Sequence, residues 1–411
     1  MTFKEYIFES FKNIVVFDFE YKQTNGNNPQ PVCCTFKELK TGKQETHWYV
    51  GENHKWPYEI SETLWICHNA VAEVSCMLEL GLERPDRVWD TMVQDKKLNL
   101  GIENRFNLLA CCERFGIETI TEAQKNMFRD MIIDNYPNYT KEQQHKIKEY
   151  NVSDVVENEK LFLGQVALFE KRQPVFKTTL SQAIFHGAAQ AVIARIERNG
   201  IPLNYELYDD MEKYFPQIKA QEIEELKKVA DIYVGDKWNN KKFAAFLNKL
   251  GLLRNWPRTK TGQPAQDDRT LYRHSSKYPI IQQIREAKFI IGAKNLKGYC
   301  VGKDKRSRAP LKLFGQITGR TNVSTAINPF GAPRRMRNII GTTKDKLIVY
   351  ADWKSQEAVI QGALSNDVNI KAAIATGDPY LFTAKKAKAI PQDAVRKDYE
   401  VERDLYKQTY L

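Results

Sequence analysis

Residues 13–21 read NIVVFDFEY. A β-branched and aromatic run of this length is a strand. Side chains alternate along a strand, so Asp18 and Glu20, at i and i+2, leave by one face. Two carboxylates side by side on an apolar strand repel each other and lose hydration, and they need a cation or a shared proton. The chain therefore has to build a sheet that presents these two acids to something positive.

The flanking segments supply such a sheet. PVCCTF (31–36) and THWYV (46–50) read as neighbouring strands, and TLWICHN (63–69) as another that runs into the helical pattern AVAEVSCMLELG. Helical periodicity then dominates to about residue 171. Strands first with helices interleaved predict an α/β domain with carboxylates at strand ends. A second, helical region starts at TTLSQAIFHGAAQAVIARIERNGIPL (178–203), closed by Asn199-Gly200, and continues through two further helical stretches. PRTKTGQPAQDDRTL (257–271) is a basic, turn-rich loop. KLIVYADW (346–353) reads as a late strand that delivers Asp352.

At 411 residues the chain has room for two or three domains. No apolar run approaches the ~18 residues of a membrane span, and the first residues contain no signal-peptide core. A cytoplasmic protein is expected, in a host cytoplasm if viral, with no membrane partner. The seven cysteines are odd in number and lack a CxxC pair, so they read as reduced structural thiols without zinc. Thirteen basic residues against two acids lie between Lys294 and Lys346, which accounts for the whole net charge of +11. Such a segment suits a phosphate backbone.

Further acids join the first pair. Glu73 follows a strand on a helix, and Tyr150 and Asp154 stand at i and i+4 on one helical face. Four carboxylates can hold two divalent ions about 4 Å apart, which activate a water and stabilise the leaving oxygen of a phosphodiester. Oxygen ligands point to Mg²⁺ or Mn²⁺. In this order the residues resemble the DEDD 3′–5′ exonucleases of the tyrosine-containing branch, whose domain is ribonuclease H-like. Asp18 and Glu20 match the first motif, NAVAE (69–73) the second, and Tyr150 with Asp154 the third. The resemblance implies that Asp18, Glu20, Glu73 and Asp154 hold the metals and that Tyr150 orients the water. Glu73 stands where the family has Asp, and its extra methylene shifts the ligating oxygen by about one bond length. WDTM (89–92) is similar to a segment that often follows the second motif.

The remainder resembles the family A DNA polymerases, the DNA polymerase I family, with the proofreading domain in front. TGRTNVS (318–324) is similar to that family's TGR segment, which implies that Arg320 contacts the primer terminus. RRMRNII (334–340) resembles the segment before the catalytic strand, implying nucleic-acid contacts by Arg334, Arg335 and Arg337. The loop that carries Lys260 looks like a thumb loop that tracks the duplex. DWKSQE (352–357) resembles polymerase motif A, with Asp352 as metal ligand and Glu357 against the sugar of the incoming nucleotide. Lys354 and Ser355 depart from the usual Ser-Gln. Arg403, Lys407 and Leu411 match the finger helix R-x₃-K-x₃-[FY], which binds the triphosphate, with Leu411 on the aromatic position.

The family's second catalytic aspartate lies beyond Leu411. The expected protein is thus the N-terminal portion of a replicative polymerase, phage-like in lacking a 5′-nuclease domain, with an intact exonuclease and an incomplete polymerase site. The domain plan is an exonuclease domain at 1–176, a helical connection and thumb at 177–295, a partial palm at 296–365 and the start of the fingers at 366–411. Expected partners are primer-template DNA and single-stranded 3′ ends. If the polymerase site is completed, dNTPs and that site's metals join them, and a second chain carrying the rest of fingers and palm would complete it. The alternatives are a stand-alone DEDD nuclease acting on DNA or RNA, and the DNA-binding half of a split polymerase.

Overall fold

The computed structural model describes residues 1–172, 175–275, 277–292, 299–324, 328–329, 334–342, 346–349 and 351–407, with the backbone alone for 334–336. The chain forms two compact units, Met1–Lys213 with Lys294–Thr342, and Tyr214–Ala293 with Thr343–Leu411.

The first unit is built on a five-stranded mixed sheet. Its strands are β1 (Asn13–Lys22), β2 (Gln30–Glu38), β3 (Gln44–Trp48), β4 (Thr63–Cys67) and β5 (Val88–Asp90), in the order β3-β2-β1-β4-β5. The β3-β2-β1 part is antiparallel, and β4 and β5 continue it in parallel. The seven helices around it are α1 (Phe3–Ser10), α2 (Ala70–Glu79), α3 (Thr91–Asn99), α4 (Leu108–Arg114), α5 (Glu122–Asn135), α6 (Lys141–Arg172) and α7 (Phe176–Asn199). α8 (Tyr205–Val229) follows. Capping boxes start α1 at Thr2/Glu5 and α5 at Thr121/Gln124, each satisfying two N–H groups that a helix end leaves open.

Alternation along β1 sorts its side chains into two cores. Ile14 and Val16 pack with Leu64 and Ile66 against Phe3 and Ile7 of α1 and Val155, Phe162 and Phe169 of α6. Val15, Phe17 and Phe19 face the other way, onto Trp65, Val74 and Met77. Both faces are covered, which is why these strands are apolar almost throughout. α7 packs on β5 as well as on α2. Gly187 permits that approach, since a Cβ there would stand 2.0 Å from the Val88 carbonyl oxygen. The boundary expected at 176 thus falls between two helices that both cover this sheet.

The segment rich in basic residues also belongs to the first unit. Arg308 donates to the Asp304 carboxylate, to the carbonyl of Arg198 and to that of Gly26 at 3.0 Å. Arg306 donates to the carbonyls of Asn199 and Gly200. Expectation placed this charge on a phosphate-facing surface. These two arginines instead hold their own segment in place, because a guanidinium can satisfy several carbonyls at once.

In the second unit, α9 (Asn240–Lys249), α10 (Asp268–Ser275) and α11 (Pro279–Gly292) pack with the end of α8 around Phe243, Leu247, Trp256, Ile281 and Ile284. α12 (Gln356–Ser365), α13 (Val368–Ala375), α14 (Pro379–Lys386) and α15 (Glu400–Lys407) follow. The strand expected at 346–353 is not formed by the described residues of that run. Leu347 is 92% exposed, Val349 86% and Trp353 79%. A strand needs a neighbour for its N–H and C=O groups, and no pairing to this run occurs among the described residues. Among the described residues, no helix is long and apolar enough to cross a membrane.

Candidate active site

Asp18 and Glu20 prolong the face of β1 that carries Ile14 and Val16. Further back that face meets the apolar turns of α6, but at Asp18 it meets the polar turn of Tyr150, Asn151 and Asp154. One oxygen each from Asp18, Glu20 and Asp154 lie within 4.8 Å of one another. Asn151 Nδ2 donates to Asp18 Oδ2 at 2.7 Å and to the Asp18 carbonyl at 3.1 Å. This fixes the carboxylate against the helix.

α5 supplies a cation. Lys125 Nζ donates to Asp154 Oδ1 at 2.7 Å and lies 3.4 Å from Glu157 Oε2. Lost hydration, and then the Asp154 charge, push the Asp18 carboxyl well above its usual range. Lost hydration, Asp18 and Asp154 do the same to Glu20. For Lys125 burial opposes the charge, but Asp154, Glu157 and Asp18 outweigh it and hold the ammonium above its ordinary value.

Tyr150 stacks on Phe128 with ring centroids 4.7 Å apart and planes 7° from parallel, on the turn of α6 that carries Asp154. Burial, followed by Glu20, Asp154 and Asp18, drives its pKa far up, so the hydroxyl stays protonated. Together with Asp18, Glu20 and Asp154 it lines a cleft of about 520 Å³ whose other wall is Lys125, Asn126 and Arg129 of α5.

Glu73, the fourth expected carboxylate, lies outside that group of three. It is buried, and its Oε2 accepts a hydrogen bond from Phe19 N at 2.7 Å. The pairing of β1 with β4 extends to Val16, so Glu73 serves a backbone N–H beyond the end of that ladder. Glu73 lines an adjoining cavity of about 920 Å³ with Asn69, Lys96, Phe106 and Lys312. His68 borders both cavities. It is fixed by Thr91 Oγ1 and the Phe106 carbonyl, and burial lowers its pKa to about 3, which leaves it neutral. Asp90, in the WDTM segment, caps both α2, through Asn69 N and Ala70 N, and α3, through Val93 N.

The donor set fits a hard cation. The converging atoms are carboxylate oxygens, and the buried Asn151 Oδ1 beside them has no hydrogen-bond partner. Oxygens of this kind suit Mg²⁺ or Mn²⁺. Lys125, Asn151 and Glu157 escaped sequence reasoning. Asn151 and Asp154 share a face at i and i+3, which was a usable signal. Lys125 had none, since it arrives from another helix.

The remaining expected residues are divided between the two units. Arg320, Arg337 and Lys260 are exposed, Lys260 in a turn where Thr259 N bonds the Gln263 carbonyl. The side chains of Arg334 and Arg335, and Leu411 altogether, lie outside the described residues. In the second unit Asp352 is exposed on irregular backbone and Glu357 sits in the first turn of α12. Among the described residues, Asp352 joins no group of metal-ligating side chains. Arg403 bonds Asp378 Oδ2 at 2.6 Å and lies over the Tyr380 ring, while Lys407 is exposed.

No family model matches the chain, and no curated protein sequence matches it. Among solved structures, the chain is similar to the POL domain of Pol1 from M. smegmatis, solved in complex with DNA primer-template and dNTP. The match has a TM-score of 0.65 and 16% identity, and it covers 98% of this chain and 68% of that one. The chain thus shares the fold of a bacterial DNA polymerase domain.

Proposed function

We propose that the chain is the N-terminal portion of a family A replicative DNA polymerase and carries a metal-dependent 3′–5′ proofreading exonuclease. The observation that carries this reading is the convergence of Asp18, Glu20 and Asp154 within 4.8 Å at one end of the mixed sheet. The strand order β3-β2-β1-β4-β5, antiparallel then parallel, supports a ribonuclease H-like exonuclease domain. Likeness to a polymerase domain over 98% of the chain supports the rest of the plan. That plan runs from 1–176 for the exonuclease through 177–295 for the thumb and 296–365 for the palm to 366–411 for the fingers.

In this reading Asp18, Glu20 and Asp154 hold Mg²⁺ or Mn²⁺, with Glu73 at the edge of the set. Such an ion lowers the pKa of a bound water and stabilises a leaving oxygen. Asn151 orients Asp18, and the protonated Tyr150 hydroxyl positions a water at the cleft. Arg320, Arg334, Arg335, Arg337 and Lys260 contact primer-template DNA. Glu357, Arg403 and Lys407 receive the incoming nucleotide. Polymerisation by two metals needs a second carboxylate beside Asp352, and among the described residues Asp352 joins no such group. The exposure of Asp352 favours a second reading, in which these residues by themselves act as a DEDD nuclease.

The test is a gel assay on 5′-labelled primer-template with Mg²⁺, with and without dNTPs, beside an Asp18→Ala/Glu20→Ala variant. Shortening of the primer by the wild type alone is expected. Cleavage retained in the variant would sink the metal assignment, and primer extension would overturn the account of the polymerase site.

A further inference from the structure

The cation nearest the carboxylates belongs to the protein itself. Lys125 reaches the cluster from α5, a helix packed on both β1 and α6. Its side chain is 18% exposed and its Nζ stands 2.7 Å from Oδ1 of Asp154, one of the expected metal ligands. Glu157, one helical turn beyond Asp154, holds the same ammonium at 3.4 Å. Two further ligand oxygens are committed as well, Asp18 Oδ2 to the Asn151 amide and Glu73 Oε2 to Phe19 N–H. Each of these bonds holds a ligand without closing it, because a carboxylate has a second oxygen. One oxygen each of Asp18, Glu20 and Asp154 converge within 4.8 Å, and an ammonium stands against Oδ1 of Asp154. A divalent ion brought to Asp154 Oδ1 would meet that positive charge at contact distance.

We infer that Lys125 takes the place of the second metal, so that this site works with one divalent ion and one resident ammonium. The inference rests on the nuclease reading and deepens it. Lys125 is then a positioning residue that presents Asp154 to the single ion and supplies the second positive charge. An ammonium on a side chain cannot be lost by dilution or chelation, so occupancy of the centre depends on one ion concentration and not on its square.

The experiment counts Mn²⁺ by the loss of its free-ion electron paramagnetic resonance signal on titration with the full chain. Each protein is compared with its own Asp18→Ala/Glu20→Ala version, so that ions bound elsewhere cancel. One ion is expected for the wild type, two for Lys125→Met and one again for Lys125→Arg, which restores the charge. Circular dichroism verifies that each variant is folded. Two ions in the wild type would overturn the inference, whatever the variants do, and leave the nuclease reading intact. One ion in folded Lys125→Met would also overturn it. No ion in either protein would sink the nuclease reading together with it.

Discussion

Glu73 Oε2 accepts the Phe19 N–H at 2.7 Å, tying helix α2 to strand β1 beyond the last residue that β4 pairs. Removing the acceptor would orphan a buried backbone donor, a loss of about 1–3 kcal/mol. Glu73→Ala should therefore lower the urea midpoint, while Glu73→Gln, which keeps a carbonyl oxygen, should hold most of it. Equal midpoints for Glu73→Ala and the wild type would mean that the bond contributes nothing to stability.

Arg320 and Arg308 separate two uses of the same charge. Arg320→Ala should act on binding, weakening primer-template affinity and reducing the slope of log affinity against log salt by about one. Arg308→Ala should do the reverse. Its guanidinium is bound to Asp304 and two carbonyls, and its side chain is 8% exposed. Losing those charge-assisted bonds should cost about 2–4 kcal/mol and leave the salt slope as it was. Fluorescence anisotropy over a salt series together with thermal melts checks both, and a changed slope for Arg308→Ala would return that residue to the DNA surface.

Glu197 introduces a pH dependence. Its Oε1 accepts from Leu311 N at 2.6 Å, and burial raises its pKa to about 7. An acid whose folded pKa exceeds its unfolded value binds more protons when folded, so stability falls as pH rises between the two. The loss should develop from about pH 4.5, the ordinary glutamate range, to about 7. Its ceiling is on the order of 3 kcal/mol at 1.4 per unit. Glu197→Gln should match the wild type near pH 4 and exceed it at pH 8. Parallel denaturation curves for the two proteins across that range would show that Glu197 titrates normally.

The parts that were legible in the sequence are those written in local pattern. β1, β2, β3 and β4 all stand where their β-branched and aromatic runs put them, and the i, i+2 spacing of Asp18 and Glu20 survives as a shared face. β5 is only three residues long and too short for any period to register. Lys125 acts on an acid 29 residues away through tertiary packing, which leaves no trace in spacing. Within the basic segment, charge does not tell an arginine that faces phosphate from one that, like Arg306 and Arg308, holds its own backbone carbonyls. The run at 346–353 misled for a different reason, since an apolar, β-branched sequence becomes a strand only beside another strand.

The attachment of Arg308 to the carbonyl of Gly26 joins positions 282 residues apart, and Lys303 N meets Asn27 Oδ1 from 276 residues away. On a ribosome adding about 5–20 residues per second, roughly 15–60 s separate the emergence of those partners. During that interval the five strands and their helices can already assemble, while the wall of the larger cavity built from Arg308, Lys312 and Phe314 is still unmade. The nascent protein thus passes through a stage in which the carboxylate cleft exists and its neighbouring chamber is open to solvent. Slow codons or a pause between residues 213 and 294 would prolong that stage, and with it the exposure of the unfinished domain to proteases and chaperones.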